Sequence, residues 1–576
     1  MSALDLTFQN NRATSLNIIQ NWDVARNINA GSDHYATTFT IGGGEDELTD
    51  LTEAKYNWKA TDEKRYTEEL RRLLEKDQAR HAKTFDPIKT GNGSMTTQQV
   101  DNTTSYILKL MTTAADIAVP RCRSSARAKP WWTQELSNIR TQLTEARANA
   151  STLYKANGQP DTEAASLVKH LANKTERLIK KTKQNFYEEA VKSVGPRNFW
   201  DLKQWTMGTR QYPSPPIDRG EGTTPALTHE DKCNTIQTHL LPRPAAIPNE
   251  PEIDLEPYHD DIPWTPLTKN EVQAAIFCGK PNNAPGYSGM TGKAYRLAWP
   301  IIGEEIYWTL RTAANLGYHP EMFRKSICVV LQKPKKKNYS KPNAYRPIQL
   351  LEVLGKALER IQSDRFAFLA AKNNMIPPLH FGGMKGKSAE DAILCATHDI
   401  HAARNHGLAT STLTFDISGF FNNVNHAVLL HKLRKLHFPL TMVKWVASSL
   451  SNRQTAMCLD GKRGPLEDTH TGVPQGSPVS GILTAIYTAS LTKHIQAGMK
   501  EVLENNTELA QEIKRNCGTQ TVIIIYVDDG KLTLASTNIK TNTKVLTEAF
   551  RLVEEWMSTH GLTTDADKRE LIHHSW

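Results

Sequence analysis

The sequence predicts an α+β fold, an antiparallel sheet with helices, in which short strands bring acidic side chains to one end of the sheet. Three observations lead there. First, Thr521-Val522-Ile523-Ile524-Ile525-Tyr526-Val527-Asp528-Asp529-Gly530-Lys531-Leu532-Thr533-Leu534 is an apolar, β-branched run, two adjacent carboxylates, a glycine and a second β-prone run. That is the pattern of a hairpin with Asp-Asp-Gly at its tip. Second, Ser411-Thr412-Leu413-Thr414-Phe415-Asp416 is another strand that ends in a carboxylate. Third, helix openings follow turn chemistry. The Gly/Pro/Ser-rich loop Thr471–Gly481 leads into an apolar helix from Ile482 to Leu491, and Thr268-Lys269-Asn270-Glu271 is a capping box.

The 576 residues suffice for several domains with buried cores. Seventy basic residues against 61 acidic ones give a net charge of +9, which favours a polyanionic partner. The seven cysteines (122, 233, 278, 328, 395, 458 and 517) are odd in number and scattered, with no Cys-x-x-Cys or Cys/His cluster. Neither a disulfide framework nor a structural zinc site is signalled, which suits a reducing compartment. The sequence shows no signal peptide, and no apolar run reaches the roughly 18 residues of a membrane span.

Two adjacent aspartates at the mouth of an apolar strand repel one another and lose hydration, a sensible arrangement if a divalent cation sits there. Alone, the hairpin would be an ordinary Asp-Gly turn. With Asp416, however, three carboxylates on two strand ends are able to hold two hard cations about 3.5–4 Å apart, the geometry of metal-assisted phosphoryl transfer.

Asp416, the loop Gly472–Ser480 and Tyr526-Val527-Asp528-Asp529 resemble motifs A, B and C of reverse transcriptases, with flanks similar to those of LINE-type (non-LTR) retrotransposons. Further blocks follow in the family's order. Lys333-Pro334, Tyr345-Arg346-Pro347-Ile348 and Leu354 through Ile361 resemble the fingers motif, and Phe381-Gly382-Gly383 through Ile393 resembles the next block. Trp556 through Leu562 with Asp567-Lys568 resembles motif D. The resemblance implies a right-hand polymerase with fingers and palm.

Four regions are expected. Residues 1–45 read as short strands, at Leu4–Phe8, Trp22–Val24 and Tyr35–Ile41, with Gly31-Ser32-Asp33-His34 before the last. This resembles the end of the apurinic-type endonuclease of LINE elements. It implies Asp33 near a metal, His34 at the reacting phosphate and Asp5 orienting His34; the other site residues of that family are not in the chain, so the segment is expected to be a remnant. Residues 46–250 are polar and helical in places. The stretch Glu135–Val194 carries Lys169, Lys174, Arg177, Lys180, Lys181 and Lys183, and Phe199, Trp200 and Trp205 follow. Such a pattern tracks a nucleic-acid backbone or is simply a solvated helix face. Pro213–Pro248 reads as a linker. Residues 251–325, with Asn283 through Gly289, resemble the N-terminal extension of LINE-type enzymes, except that the family usually has an aspartate where Ser288 stands. Residues 326–576 are fingers and palm, with no thumb.

The implied reaction is RNA-directed addition of deoxynucleotides to a primer 3′-hydroxyl, with an RNA template, a DNA primer and deoxynucleoside triphosphates as partners. Asp416, Asp528, Asp529 and the Ile417 carbonyl would hold two Mg²⁺ ions, with Mn²⁺ as the alternative. Lys333 and Arg346 would grip phosphates, although Lys335, Lys336 and Lys337 stand beside Lys333 and are equally able to. Gln475 would support the nucleotide or template. Lys568 would protonate leaving pyrophosphate or is a surface lysine. Phe421, five residues after Asp416, matches the steric gate that excludes a 2′-hydroxyl. The family often has Ala-Phe-Asp where Phe420-Phe421-Asn422 stands, and Pro at Gly481. The alternative is a truncated, weakly active or silent nucleic-acid-binding fragment. By resemblance, the expected location is the cytoplasm and nucleus, with no membrane partner.

Overall fold

Near the N-terminus the run Ile19–Ala25 (β1) pairs antiparallel with Ala36–Ile41 (β2). The computed structural model describes residues 19–25, 36–41, 55–90, 95–122, 131–157, 159, 161–192, 214–220, 222–242, 247–334, 336–470, 472–516 and 521–574. The expected strand Leu4–Phe8 and the residues Asp5, Asp33 and His34 lie outside the described residues.

The larger of two compact units comprises Met1–Cys122 and Ser214–Trp576. Within it, Lys55–Tyr56 (β3) and Arg121–Cys122 (β4) form a short pair around three helices, Glu63–Lys76, Gln78–Thr90 and Thr97–Ala118. The third helix opens with a Thr96/Gln99 capping box and buries Val100, Ile107, Met111 and Ala114 along one face. Helix Gly292–Asn315 packs against it and contributes the buried Glu305. That carboxylate is satisfied by Lys89 at 2.9 Å and His81 at 3.2 Å from the second helix.

The smaller unit, Arg123–Pro213, contains helices Gln134–Asn157 and Thr162–Lys192 packed on each other. Leu136, Ile139, Leu143 and Ala164 turn inward, and the six basic residues expected between 169 and 183 are exposed.

The stretch expected as a linker is structured in part. Helix His229–Leu240 begins at the Thr228 cap, and Cys233, Ile236 and Leu240 recur on one face. They bury with Ile217, Ala226, Cys328, Tyr345 and Met457. Lys232 is also buried and donates to the Ser214 carbonyl, while Asp460 accepts from the Ser214 N–H at 2.9 Å. One short apolar face among many Pro and Thr residues is too weak a periodic signal to read from sequence.

Two four-stranded sheets complete the unit. The first has the order β6-β5-β8-β9, from Lys325–Gln332 (β5), Tyr345–Leu350 (β6), Arg453–Leu459 (β8) and Lys462–Thr469 (β9). Its β5/β8 pair is parallel and the others are antiparallel. The second, wholly antiparallel, has the order β10-β11-β7-β12, from Ala409–Asp416 (β7), Val522–Tyr526 (β10), Asp529–Ser536 (β11) and Glu570–His574 (β12). Helices Ser480–Asn505 and Ile539–Thr559 pack on each other, and the latter covers β7 and β11. The α+β expectation therefore holds, and the apolar helix expected at 482–491 is longer than the sequence suggested.

The hairpin tip differs from expectation. Tyr526 pairs with Asp529, so the turn is Val527-Asp528, while Asp529 and Gly530 already belong to β11. Val527 has φ 58°, the positive value a two-residue hairpin needs at its first central position. Gly530 is there for space rather than for turning. It lies opposite Phe415, and a Cβ on it would come 2.1 Å from that ring. Gly530→Ala should therefore lower stability by about 1–3 kcal/mol, the usual range for overpacking, and Phe415→Leu should restore part of it. Urea midpoints of the single and double variants check this. Equal midpoints for parent and Gly530→Ala would show that the ring is not confined.

Candidate active site

Strand pairing builds the site. Asp416 ends β7 and lies directly opposite Asp529 at the start of β11; Asp528 is the second residue of the adjoining turn. One oxygen from each carboxylate lies within 4.8 Å of the others. Ile417, buried beside them, donates its N–H to the Asp528 carbonyl at 3.0 Å and so ties the turn to the end of β7. Beneath the turn runs Gly382, where a Cβ would come 2.2 Å from the Val527 nitrogen. The backbone bonds Phe381 N–H to Ile525 carbonyl (2.9 Å) and Ile525 N–H to Leu379 carbonyl (3.1 Å) hold that approach. A valine at positive φ costs of order 1–3 kcal/mol and persists only when its surroundings over-determine it; these contacts supply that support.

The electrostatics follow from the crowding. Burial pushes the Asp528 carboxyl above the ordinary range, and the charges on Asp416 and Asp529 push it further. Asp529 is raised by burial and by Asp416, with Lys568 opposing. Three hard oxygen donors whose negative charges disfavour one another match Mg²⁺ or Mn²⁺ in ligand chemistry. Lys568, in the turn Ala566–Lys568, forms an ion pair with Asp416 Oδ2.

Of the other expected residues, Lys333 is near enough for the Asp416 carboxylate to act on its amine. Lys333 follows β5 and donates its backbone N–H to the Ala344 carbonyl at 2.8 Å; Arg346 stands exposed on the neighbouring β6. Burial lowers the Lys333 amine, as do the nearby charges of Lys336, Arg346 and Lys568, while Asp416 opposes them. Lys333 and the Asp416 carboxylate therefore share one field. Phe420 is in the core and Phe421 is half-buried, on a helical turn rather than a strand. The Phe421 carbonyl accepts from Val473 N–H at 2.7 Å, which joins the two motifs. Gln475 is half-buried, and its carbonyl accepts from Gln349 N–H of β6 at 2.9 Å. Asp5, Asp33 and His34 are not among the described residues.

Several supporting groups escaped the sequence reading. Ser477 Oγ donates to the buried Glu359 at 2.8 Å and accepts from Val479 N–H at 3.2 Å. Glu359 lies within the apolar pattern Leu354, Ala357, Leu358 and Ile361, so an acid on a core-facing helix was the available signal. Ser288, where the family usually has aspartate, donates its Oγ–H to Glu352 at 2.7 Å, and its N–H reaches the same buried carboxylate.

With this geometry in place, comparison with known proteins is informative. Residues 333–576 match the family described as reverse transcriptase (RNA-dependent DNA polymerase). A reverse transcriptase domain occupies this part of the chain. The RNA-directed DNA polymerase from mobile element jockey of Drosophila melanogaster is 23% identical over 483 residues, covering 81% of this chain and 50% of that protein. The Pol polyprotein from type-1 retrotransposable element R1 of Bradysia coprophila is 24% identical over 451 residues, covering 77% and 41%. The chain thus spans about half the length, or less, of these relatives. Among solved structures, apo telomerase from Candida tropicalis truncated from the C-terminal domain aligns with a TM-score of 0.31 at 12% identity, covering 50% of this chain and 56% of that one.

The motif B support makes a pH prediction for the reverse transcriptase domain. Burial raises Glu359 from 4.5 to about 7, against opposing effects of Ser477, Lys356 and Arg453. Between those values the folded state binds more protons than the unfolded state, so stability from this group falls as pH rises. Glu359→Gln should flatten that decline, read from urea midpoints at several pH values from 5 to 8. An unchanged slope would mean that Glu359 titrates normally.

Proposed function

We propose that the chain is the RNA-directed DNA polymerase of a non-LTR retrotransposon and extends a DNA primer along an RNA template with deoxynucleoside triphosphates. The observation that carries this reading is the convergence of Asp416, Asp528 and Asp529 inside a domain that matches reverse transcriptases. Kinship to the jockey and R1 proteins supports the retrotransposon type.

In this reading Asp416, Asp528, Asp529 and the Ile417 carbonyl hold two Mg²⁺ ions, or Mn²⁺ in their place. When bound, such ions acidify the attacking hydroxyl and neutralise charge on the triphosphate and leaving pyrophosphate. Lys333, which shares the field of Asp416, and Arg346 on the neighbouring β6 hold the triphosphate. A guanidinium suits a bidentate phosphate contact and an ammonium acts as a point charge. The Gln475 loop, pinned to β6, supports the nucleotide or template. Phe421, with its ring only half covered, is the gate below the sugar. Lys568 is the proton donor to the leaving group. Asp5, Asp33 and His34 support an apurinic-type endonuclease segment within 1–45 on motif resemblance alone. None of the described helices is long and apolar enough to cross a membrane, and the working locations proposed are cytoplasm and nucleus.

Primer extension on an RNA template, with Mg²⁺ and labelled deoxynucleotides, tests the reading. The chain should add nucleotides, and Asp416→Asn or Asp528→Asn should reduce the rate by about a thousandfold or more, the scale on which a charge-stabilising group contributes. Equal addition by the variants would refute the assignment, and no addition by the parent chain would favour the silent nucleic-acid-binding fragment instead.

Sugar selection is a separate matter. Phe421→Val should raise ribonucleotide incorporation relative to deoxynucleotide by at least about tenfold, the discrimination available from one steric contact. Equal ratios in parent and variant would place the gate elsewhere.

A further inference from the structure

Lys568 is tied to the end of β7 more closely than a proton donor to a leaving group would require. Asp565 N–H donates to the Asp416 carbonyl at 2.8 Å, and Ser418 N–H donates to the Thr563 carbonyl at 2.9 Å. Lys568 N–H donates in turn to the Asp565 carbonyl at 3.2 Å, and beyond it Glu570 pairs with Thr414. The backbone on both sides of Lys568 is therefore stitched to β7. Only its side chain, 56% exposed, has freedom to turn.

That side chain has two carboxylates in reach. It forms an ion pair with Asp416 Oδ2, and Asp565 Oδ2 lies 3.5 Å from the same amine. A divalent cation on Asp416 and an ammonium hydrogen-bonded to the same carboxylate repel each other at short range. The amine and the metal thus compete for one ligand. The adjacent cation does not share this role, because Arg569 is held by Glu554 and Thr564, each at 2.8 Å.

Building on the metal-ligand reading of Asp416, we infer that Lys568 is an internal competitor for the metal, moving from Asp416 to Asp565 when a divalent cation binds. Its position would then report metal occupancy. The amine leaves Asp416 and becomes available toward the reacting phosphates only when the site is charged with metal. Lys568 is in this respect a positioning residue, and Asp565 is the group that receives it.

The experiment is a Mn²⁺ titration of the full chain without nucleotide or nucleic acid, with free Mn²⁺ read by electron paramagnetic resonance. Circular dichroism verifies that each variant is folded. Lys568→Met should tighten Asp416-dependent binding by about threefold or more, the upper range for removing one partly exposed ion pair. Lys333→Met, which removes a cation from the same field but not from Asp416, should tighten it less. Asp565→Asn should weaken binding in the parent and have a smaller effect beside Lys568→Met, since the two residues act as a pair. Equal tightening by Lys568→Met and Lys333→Met, or an Asp565→Asn effect independent of residue 568, would overturn the competition and leave only general electrostatics. Absence of Asp416-dependent binding in every variant would instead overturn the metal-ligand reading beneath it.

Discussion

The pairing of β7 with β11 places Asp529 opposite Asp416 and sets the turn residue Asp528 beside them. Three like charges so close oppose folding, and the register holds because the same pairing serves the core. Phe415, Leu532 and Leu534 are buried along these two strands, under helix Ile539–Thr559. A slip of one residue would turn the apolar set outward and separate the carboxylates. Burial of apolar surface therefore holds together what electrostatics would push apart, and the site carries an excess of negative charge.

Close backbone approach does the rest. Gly530 admits the Phe415 ring and Gly382 lets its segment lie directly under Val527, so the strained turn is supported from below. The motif B loop is attached on the far side, through the Gln475 carbonyl to β6 and through Ser477 to the buried Glu359. Arg346 stands on β6 of that same first sheet and Lys333 just after its β5. The loop and these two cations thus rest on one frame, and the carboxylates rest on the other.

A buried carboxylate joins two segments that are far apart in the chain. Glu352 receives both the hydroxyl and the N–H of Ser288. The two residues stand 64 positions apart in the chain.

Local pattern by itself determined the α+β class, the three acidic residues at strand ends, the capping box at Thr268 and the order of the motifs. These signals are legible because a strand's period, a helix cap and a turn residue are written in adjacent positions. Tertiary structure decided the rest. The exact turn, Val527-Asp528 rather than Asp-Asp-Gly, depends on which residues pair across β10 and β11. The helix at His229–Leu240 is stabilised by a core whose other members come from Cys328, Tyr345 and Met457. The grip of Lys568 on Asp416 joins residues 152 positions apart. Contacts of that separation arise from strand register and packing, which no short window of sequence contains.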